Sequence, residues 1–488
     1  MNLAQLLSGH DGGDIAIVDR FGSISYAELN TEAARWRSLL AGRGVGPGDR
    51  VALICGNDRH FVGSYLAVLG LGAIAVPLNP ASPGPELEAE LASVSPAAVV
   101  DEETIEMVTS VHDSQAAPGI VERSSGDPAV LLFTSGTAGS PKAAILTHGS
   151  LYANLLQIQS HPGWRAMPTD VGLGLLPLFH VFGLNVVLNL SLLTGGKLVL
   201  LDRPSPEEAL DAVERHQVTL VAGVPVLYAA WARTLDGRTG GVGVGAGAGR
   251  VSTAMHSVRL AISGAAPLPY EIADDFEHAF GIPLWEGYGL TEASPVVTAP
   301  VFEGSPTRGS VGGPLPGVEV RVVESGGADA LIGDPGEVWV RGPNVFAGYF
   351  GDLEATERVL DAEGWLHTGD VAVTGEDGCL HLIDRAKDLV IVSGFNVYPQ
   401  EVERVIAAVA GVAETAVVGT AHSSGGEAVV AYVVRESGAT LDESDVIGAC
   451  RAHLAGYKCP SAVFFVDCIP RAAAGEVLRR ELKPDPVS

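Results

Sequence analysis

The sequence predicts an α/β protein: a large N-terminal domain of parallel α/β sheets plus a small β-rich subdomain, followed by a small α+β C-terminal domain. Three observations support this prediction. Strand–helix–strand patterns recur over residues 14–78, 86–133 and 197–224, as in a parallel sheet covered by helices. Short alternating runs broken by Gly, Pro and Asp occupy about 309–384, which favours antiparallel strands. Residues 388–488 carry helices and strands of their own.

The first elements alternate as a parallel sheet requires. Residues 14–19 and 50–55 are predicted strands, and Ser25 is the predicted N-cap of the helix between them. A helical pattern near 58–72 leads into an apolar run at 74–78 that contains a proline. This order predicts two successive strand–helix–strand units, which share the strand at 50–55.

A phosphate-binding loop is predicted between two apolar runs, 129–133 and 143–146. Residues 134–142 read Thr-Ser-Gly-Thr-Ala-Gly-Ser-Pro-Lys, so backbone N–H groups and hydroxyls can face an anion while Lys142 adds positive charge. The glycines and the lysine are three residues apart, whereas a Walker A loop has its lysine directly after the second glycine. A flexible surface loop is the alternative interpretation of this stretch.

The pattern after this loop predicts further α/β elements. Thr147 is the predicted N-cap of a helix over about 148–159. Residues 237–249 are a low-complexity Gly/Ala/Val run, which indicates a mobile surface loop. A strand at 258–262 and a helix over about 269–280 follow.

The remaining chain predicts the β-rich subdomain and the C-terminal domain. Antiparallel strands are expected at 318–323, 336–341 and 379–383. The charged turn 384–388 is the best candidate for the joint between domains. The predicted elements of the C-terminal domain are helices at 399–409 and 443–455 and strands at 413–419, 428–434 and 462–466.

Composition allows large hydrophobic cores and argues against a nucleic-acid partner. The 488 residues are 47% hydrophobic and 18% charged, and a chain of this length is expected to form more than one domain. The 30 basic and 58 acidic side chains leave a formal net charge of −28, which repels nucleic acid and anionic membrane surfaces. A phosphorylated ligand must therefore be bound by local positive charge.

The cysteines and the apolar segments predict a soluble cytoplasmic protein. Residues 1–10 lack the pattern of a signal peptide. Residues 171–193 are apolar but contain Pro, His and Asn, which favours a buried helix and loop over a membrane span. The cysteines contain no CxxC pair, which indicates structural thiols in a reducing compartment. They are Cys55, Cys379, Cys450, Cys459 and Cys468.

Seven motifs in a fixed order resemble the adenylate-forming (ANL) superfamily, in particular its acyl-CoA synthetases of the fatty-acid–CoA ligase type. The resemblance covers nearly the whole chain. It implies that a carboxylic acid is joined to ATP as acyl-AMP with release of pyrophosphate, and that the acyl group then passes to a thiol, usually that of CoA. ATP, Mg²⁺ and CoA are the implied cofactors. The motifs lie at 25–29, 134–142, 176–184, 263–268, 284–292, 365–370 and 479–482.

The resemblance assigns residues to ATP and magnesium. Thr291 matches a contact to the α-phosphate, Glu292 a Mg²⁺ ligand, and Asp370 and Arg385 contacts to the ribose. Without the family, Glu292 is equally a helix-start carboxylate, Asp370 a turn former and Arg385 a hinge charge. The implied phosphate contacts are Thr134, Ser135, Gly136, Thr137, Gly139 and Lys142, and the implied adenine contacts are Gly264, Ala265, Ala266, Gly287 and Tyr288.

His180 matches the residue at the mouth of the family's acyl pocket, although a lone His among apolar residues is usually a core histidine. The Leu, Val and Phe residues around it favour an apolar or aromatic acyl group over a short dicarboxylate, because a buried unpaired carboxylate is costly. Lys387 matches the family's hinge, and Gly394 a loop on the CoA side.

The implied domains are a core at 1–384, a hinge at 385–387 and a mobile C-terminal domain at 388–488, which rotates between the two half-reactions. The acid substrate, ATP and CoA are the implied partners. The sequence leaves the oligomeric state open, with a homodimer among the alternatives.

The C-terminal motif departs from the family at Glu476. The family places a lysine there, between the substrate carboxylate and the nucleotide, so the charge is reversed beside two anions. Four interpretations remain: a change that traps one state, slow adenylation with an intact thioester step, an unusual substrate or an acceptor other than CoA, and a degenerate binding protein. The rival functions are adenylation for a carrier-protein thiol, an amine or a small oxyanion, and a catalytically silent nucleotide or acyl-AMP binder.

Overall fold

The computed structural model divides the chain into two compact units. The first contains Met1–Val320 and Val340–Leu366, and the second contains Arg321–Trp339 and His367–Ser488. The division lies upstream of the predicted hinge at 385–387, and residues 386–389 are not described, so that hinge stays a prediction. The structure describes residues 1–110, 117–134, 142–238, 252–302, 304–385, 390–392, 395–421, 427–454, 456–472 and 477–482.

Most strands of the first unit belong to two parallel or mixed sheets. The seven-stranded sheet has the order β12-β11-β10-β8-β9-β1-β2, the five-stranded sheet β5-β3-β4-β6-β7, and a small sheet β13-β14-β15. The strands are β1 (Ile15–Asp19), β2 (Gly22–Ser25), β3 (Arg50–Leu53), β4 (Ile74–Pro77), β5 (Ala98–Val100), β6 (Pro128–Thr134), β7 (Lys142–Thr147), β8 (Val171–Gly174), β9 (Lys197–Leu200), β10 (Leu220–Gly223), β11 (Leu260–Ser263), β12 (Leu284–Glu286), β13 (Tyr288–Gly289), β14 (Val296–Ala299) and β15 (Gly313–Pro314).

Helices connect these strands as the α/β prediction requires. A π-helix, Phe182–Asn189, follows β8, and a 3₁₀ turn, Thr291–Ala293, follows β13. The α-helices are α1 (Tyr26–Gly42), α2 (Arg59–Gly70), α3 (Gly84–Val94), α4 (Glu102–Ser110), α5 (His148–Ser160), α6 (Leu190–Thr194), α7 (Pro206–His216), α8 (Pro225–Arg238), α9 (Tyr270–Phe280) and α10 (Leu353–Val359).

The predicted parallel pairing and helix caps are confirmed in the described residues. Strand β3 pairs in parallel with β4 and β5, and β10 pairs in parallel with β8 and β11. Ser25 and Thr147 cap α1 and α5 with their side chains. In the two larger sheets, the pairs β1–β2 and β6–β7 are antiparallel because their connections are too short for a crossover helix. Most of the predicted loop at 237–249 lies outside the described residues.

The large sheet is covered on both faces. Leu173, Val221 and Ala261 pack in a hydrophobic cluster with helices α7, α8 and α9, whose buried side chains include Tyr228 and Phe276. The alternate residues of β10 and β11 point to the opposite face, where the π-helix lies. The strands therefore end with their carboxyl termini between two helical layers.

The second unit confirms the predicted change to antiparallel and α+β structure. A four-stranded sheet, β16-β17-β18-β19, has most of its residues in this unit, and β22-β23-β24 packs with α11 and α12. The elements are β16 (Glu319–Val323), β17 (Gly336–Arg341), β18 (Leu366–Thr374), β19 (Leu380–Arg385), β20 (Val390–Val392), β21 (Phe395–Val397), β22 (Val412–Ala421), β23 (Glu427–Arg435), β24 (Ala462–Phe465), α11 (Pro399–Ala407) and α12 (Glu443–His453).

Candidate adenylation site

The predicted phosphate loop connects the ends of an antiparallel hairpin. Strand β6 ends at Thr134, which pairs in register with Lys142 at the start of β7. The Thr134 hydroxyl donates to the Lys142 carbonyl at 3.5 Å, a long hydrogen bond at the base of the loop. Thr134 and Lys142 are therefore neighbours in space. The other predicted phosphate contacts, Ser135, Gly136, Thr137 and Gly139, lie outside the described residues.

Residues 346–350 join this hairpin to the predicted metal ligand. The amide of Ile145 in β7 donates to the Gly348 carbonyl at 2.9 Å, and the amide of Phe346 donates to the Glu292 carbonyl at 2.8 Å. These bonds bring Lys142 and Glu292, which are far apart in sequence, to one region of the first unit. The Lys142 end of the predicted phosphate loop and the predicted Mg²⁺ ligand thus lie close together.

Tyr349 lies between the two charged side chains. Its hydroxyl donates to Oε1 of Glu292 at 2.7 Å, and its ring centroid is 5.2 Å from Nζ of Lys142. Burial and the Glu292 charge raise the pKa of Tyr349 far above its ordinary value, so the hydroxyl keeps its proton and remains a donor. Tyr349 is not recognisable from the sequence alone, because its partners are distant along the chain.

The predicted adenine contacts follow adjacent parallel strands. Gly264 to Ala266 come directly after β11, and Gly287 comes directly after β12. The Gly287 amide donates to the Ser263 carbonyl at 3.0 Å, which holds the two strand ends together. Ala265 has φ of 66°, in the left-handed region. Ligands of open α/β sheets bind at the carboxyl ends of strands, so this placement fits the prediction.

His180 and Phe182 bring the predicted acyl pocket to the same strand ends. His180 is half-buried before the π-helix, and its Nδ1 accepts from the Phe182 amide at 3.3 Å. A Cβ added to Gly264 would lie 3.2 Å from Cε1 of Phe182. The acyl side and the adenine side of the predicted site are therefore in direct contact at Gly264.

Glu286 is a half-buried carboxyl group without a role in the family resemblance. Its Oε1 accepts from the Leu268 amide at 2.9 Å. Burial raises the pKa of Glu286 to about 7. It is the last residue of β12, directly before the predicted adenine contacts Gly287 and Tyr288, and Tyr288 is itself buried.

The second unit carries the predicted ribose contacts. Asp370 is buried in β18, its amide donates to the Thr368 hydroxyl oxygen at 3.1 Å, and its backbone pairs in register with Arg385 in β19. Asp370 and Arg385 are thus strand neighbours, as two contacts to one ribose require. The predicted residues Lys387, Gly394 and Glu476 lie outside the described residues.

The described residues fit a magnesium ion that would take its ligands partly from the protein and partly from the phosphates of ATP. Within the described part of the chain, no group of three His, Cys, Asp or Glu side chains could hold a metal by itself. Mg²⁺ is commonly bound through one or two carboxylates and the phosphates of its substrate. Glu292 would supply one carboxylate, and its neighbour Thr291 begins the same 3₁₀ turn.

Comparisons with known proteins agree with this geometry. The model of the AMP-binding enzyme family matches residues 8–350, and that of the AMP-binding enzyme C-terminal domain matches residues 401–476. The chain therefore belongs to the AMP-binding enzymes, the adenylate-forming superfamily predicted from the motifs.

Similar proteins cover nearly the whole chain. A long-chain-fatty-acid–CoA ligase of Yersinia pestis is 34% identical over 92% of this chain and 87% of its own length. A feruloyl-CoA synthase of Amycolatopsis sp. is 34% identical over 94% of each chain. ATP-bound MatB from Rhodopseudomonas palustris has a TM-score of 0.89 at 34% identity, covering 99% of this chain and 98% of that one.

These findings confirm the predicted fold class and the predicted type of enzyme. The chain is an ATP-dependent acyl-CoA synthetase, an AMP-forming acid–thiol ligase, and its reaction uses a carboxylic acid, ATP, Mg²⁺ and CoA. Across the described ranges, no helix is long and apolar enough to cross a bilayer.

Proposed function

We propose that this enzyme activates an apolar or aromatic carboxylic acid. The observation that carries the proposal is the mostly apolar lining of a cavity of about 40 Å³ between the π-helix and the large sheet, in which Asp170, Ser191 and Thr194 are the polar residues. Val186, Val187 and Ile262 are among its lining residues, and none of the described lining residues has a positive charge. A second substrate carboxylate would have no cationic partner there, and its burial would be costly. The names of the two similar ligases, for long-chain fatty acids and ferulate, also support this class.

The described residues of the first unit have separate roles in the adenylation step. A carboxylate oxygen of the acid forms a bond to the α-phosphorus of ATP, and the bond to the pyrophosphate oxygen breaks. Lys142 and the loop that begins at Thr134 bind the β- and γ-phosphates and neutralise the charge that collects on the leaving group. Thr291 contacts the α-phosphate, and Glu292 holds the magnesium ion. When bound, the ion supplies charge neutralisation at the phosphate oxygens.

The remaining contacts orient the substrates. Gly264, Ala265, Ala266, Gly287 and Tyr288 surround adenine. On the family resemblance, we assign Asp370 and Arg385 to the ribose and His180 to the acyl group. Holding the two reactants in line removes much of the entropic barrier to their reaction.

The second half-reaction needs the other predicted residues. The CoA thiol loses its proton to solvent and its sulfur bonds to the acyl carbon, while the bond from that carbon to the phosphate oxygen breaks and AMP leaves with the bonding electrons. We assign Lys387 to the hinge of a C-terminal domain at 388–488 and Gly394 to the CoA side, on the family resemblance. Separate domains for the two steps agree with the separate family models that match the two parts of the chain.

A screen for AMP release tests the substrate class. The protein is incubated with ATP, Mg²⁺ and fatty, aromatic, dicarboxylic or amino-substituted acids, with and without CoA. Apolar or aromatic acids should give the highest kcat/KM, and CoA should increase turnover. Preference for a dicarboxylic acid would refute the proposed class, and AMP formation unaffected by CoA would point to another acceptor.

A matched pair of lysine variants tests the proposed role of Lys142. Lys142→Met should lower AMP release strongly because a phosphate contact is lost. Lys197→Met is the control, because Nζ of Lys197 approaches the His216 carbonyl and has no place in the proposed site. Equal activity of the two variants would contradict the role of Lys142.

A cytoplasmic location is part of the proposal and is supported by the cysteines. All five are free, and Cys55 and Cys450 are buried. Free thiols are typical of a reducing compartment. Cell fractionation followed by immunodetection tests this location, and recovery of the protein in a secreted fraction would contradict it.

A further inference from the structure

We propose that Asn154, Asn185 and Asn344 are positioning residues that hold Thr291 and Glu292 in place for adenylation. The proposal rests on the proposed roles of Thr291 and Glu292. It concerns residues 293–296, the segment directly after them. The three asparagines are completely buried, and each donates through its side-chain amide to a carbonyl of this segment.

The three side chains donate hydrogen bonds to three different carbonyls along the segment. Nδ2 of Asn344 donates to the Ala293 carbonyl at 2.9 Å, and Nδ2 of Asn185 donates to the Ser294 carbonyl at 2.7 Å. Nδ2 of Asn154 donates to the Val296 carbonyl at 2.8 Å, and its Oδ1 accepts from the Val296 amide at 3.1 Å.

Side-chain contacts are needed here because the backbone is irregular. The 3₁₀ turn ends at Ala293, and Ser294 has φ of 68°, in the left-handed region that non-glycine residues rarely adopt. Such a conformation persists only where the surroundings hold it. A buried carbonyl without a donor is unfavourable, so loss of one asparagine would favour a different path of the segment. That path would move Glu292, because Glu292 and Ala293 are consecutive.

The asparagines come from three different elements of the first unit. Asn154 is in α5, which follows the strand that begins at Lys142, and Asn344 lies in the loop after β17. Asn185 is in the π-helix and also donates to the Leu151 carbonyl of α5 at 3.1 Å. Its neighbour Val186 lines the cavity proposed for the acyl group. One turn of helix therefore contacts both the acyl side and the metal side of the site.

Asn185→Leu tests the inference, and Asn2→Leu is its matched control. Asn2 is 1% exposed and donates through Nδ2 to two carbonyls from different segments, Leu69 at 2.5 Å and Val121 at 2.9 Å. Both variants lose two hydrogen bonds donated by the amide nitrogen and one accepted by the amide oxygen, from Ala4 to Asn2 and from Asn189 to Asn185, but only Asn185 contacts the segment after Glu292. Thermal unfolding of both variants measures the general loss of stability.

The two half-reactions are then measured separately. In Asn185→Leu, kcat for adenylation should fall about tenfold, which corresponds to about 1.4 kcal/mol, and the Mg²⁺ concentration for half-maximal rate should rise. Thioester formation from preformed acyl-adenylate and CoA should fall much less and should not depend on Mg²⁺, because it needs neither pyrophosphate nor its metal and keeps only the Thr291 contact to the α-phosphate. Asn2→Leu should leave both half-reactions unchanged. Asn344→Leu, which changes a residue in a different element, should show the same Mg²⁺ effect. It replaces Asn185→Leu in the test if that variant does not fold.

Three outcomes distinguish the possibilities. If the wild-type protein adenylates and the Mg²⁺ dependence is unchanged in Asn185→Leu or in Asn344→Leu, the inference is overturned and the proposed function stands. Equal losses in Asn185→Leu and Asn2→Leu, in both half-reactions, would show a purely structural role and also overturn it. Absence of adenylation by the wild-type protein with every acid would instead refute the proposed function.

Discussion

The hydroxyl of Tyr349 donates a hydrogen bond of 2.7 Å to Oε1 of Glu292, although 57 residues separate the two along the chain. The ring of Tyr349 also faces Nζ of Lys142 at 5.2 Å. Tyr349 therefore lies between the cation proposed for the phosphates and the carboxylate proposed for the metal. The hydrogen bond from Tyr349 does not neutralise the Glu292 carboxylate, but it restricts the orientation of that carboxylate.

Tyr349→Phe should weaken metal-dependent adenylation. The variant keeps the ring beside Lys142 and removes only the hydrogen bond to Glu292. A hydrogen bond to a charged group contributes about 1.5–3 kcal/mol, so kcat at low Mg²⁺ should fall about tenfold or more. Pyrophosphate release measured over a range of Mg²⁺ concentrations detects the effect, and high Mg²⁺ should restore part of the rate.

Tyr152→Phe is a suitable control for this change. Tyr152 is in α5, on the same unit, and has no proposed contact to the nucleotide. Equal Mg²⁺ dependence of wild type and Tyr349→Phe would show that the Tyr349 hydroxyl does not orient Glu292 during the reaction.

Gly264→Ala should raise KM for the acid. The added Cβ would lie 3.2 Å from Cε1 of Phe182, closer than most van der Waals contacts, so the ring must shift at the proposed acyl pocket. Gly264 is buried after β11, which limits the backbone's ability to move away. Steady-state kinetics with a fatty and an aromatic acid should show a larger change in KM than in kcat.

Gly448→Ala controls for the glycine substitution itself. Gly448 is in α12, and a Cβ added there has no atom within 4 Å. This variant should leave KM unchanged and stabilise the helix slightly, by about 0.5–1 kcal/mol. If Gly264→Ala has the KM of wild type, Phe182 does not limit the acyl pocket.

Much of the fold is readable from local sequence patterns, because those patterns reflect local physics. Ser25 and Thr147 cap α1 and α5 as predicted, since a cap depends only on residues within one helical turn. The motif order also identified the family. Tyr349 and Asn185 could not be predicted in this way, because their partners are 57 and 109 residues away. Contacts at such separations arise from the tertiary packing of several elements.

Glu286→Gln should reduce the pH dependence of stability. The folded protein raises the pKa of Glu286 from 4.5 to about 7, so its proton is bound more tightly than in the unfolded chain. The stabilisation is complete below the unfolded pKa and is lost as the pH rises through about 7. At about 1.36 kcal/mol per pKa unit, the effect is on the order of 3 kcal/mol. Denaturant unfolding at about pH 5 and about pH 8 should show a smaller difference in the variant.

Glu90 offers a matched control for this titration. Burial and the charge of Glu86 also raise its pKa to about 7, but Glu90 is in α3. Glu90→Gln should also reduce the pH dependence of the unfolding free energy. In the double variant the two reductions should add, because the sites are independent. A stability profile that Glu286→Gln does not alter would contradict the protonated state of Glu286 near neutral pH.

Glu476→Lys should increase carboxylate-dependent exchange of pyrophosphate into ATP at least tenfold. Glu476 occupies the position at which the family resemblance implies a lysine beside the acid and the nucleotide. Two unit charges about 4 Å apart interact by roughly 4 kcal/mol at an effective dielectric near 20, so reversing the sign of one charge affects an anionic transition state strongly. At about 1.4 kcal/mol per tenfold change in rate, a partly screened interaction is sufficient for the predicted gain.

Glu436→Lys makes the same change in net charge at an exposed turn of the same domain. It should leave the exchange rate unchanged, which separates a local effect at position 476 from a general reduction of the negative field. Thioester formation from preformed acyl-adenylate should be equal in wild type and Glu476→Lys if the residue acts only in adenylation. An exchange rate that Glu476→Lys does not raise would show that position 476 does not limit adenylation in this enzyme. The substrate or the acceptor would then be the better explanation of the glutamate.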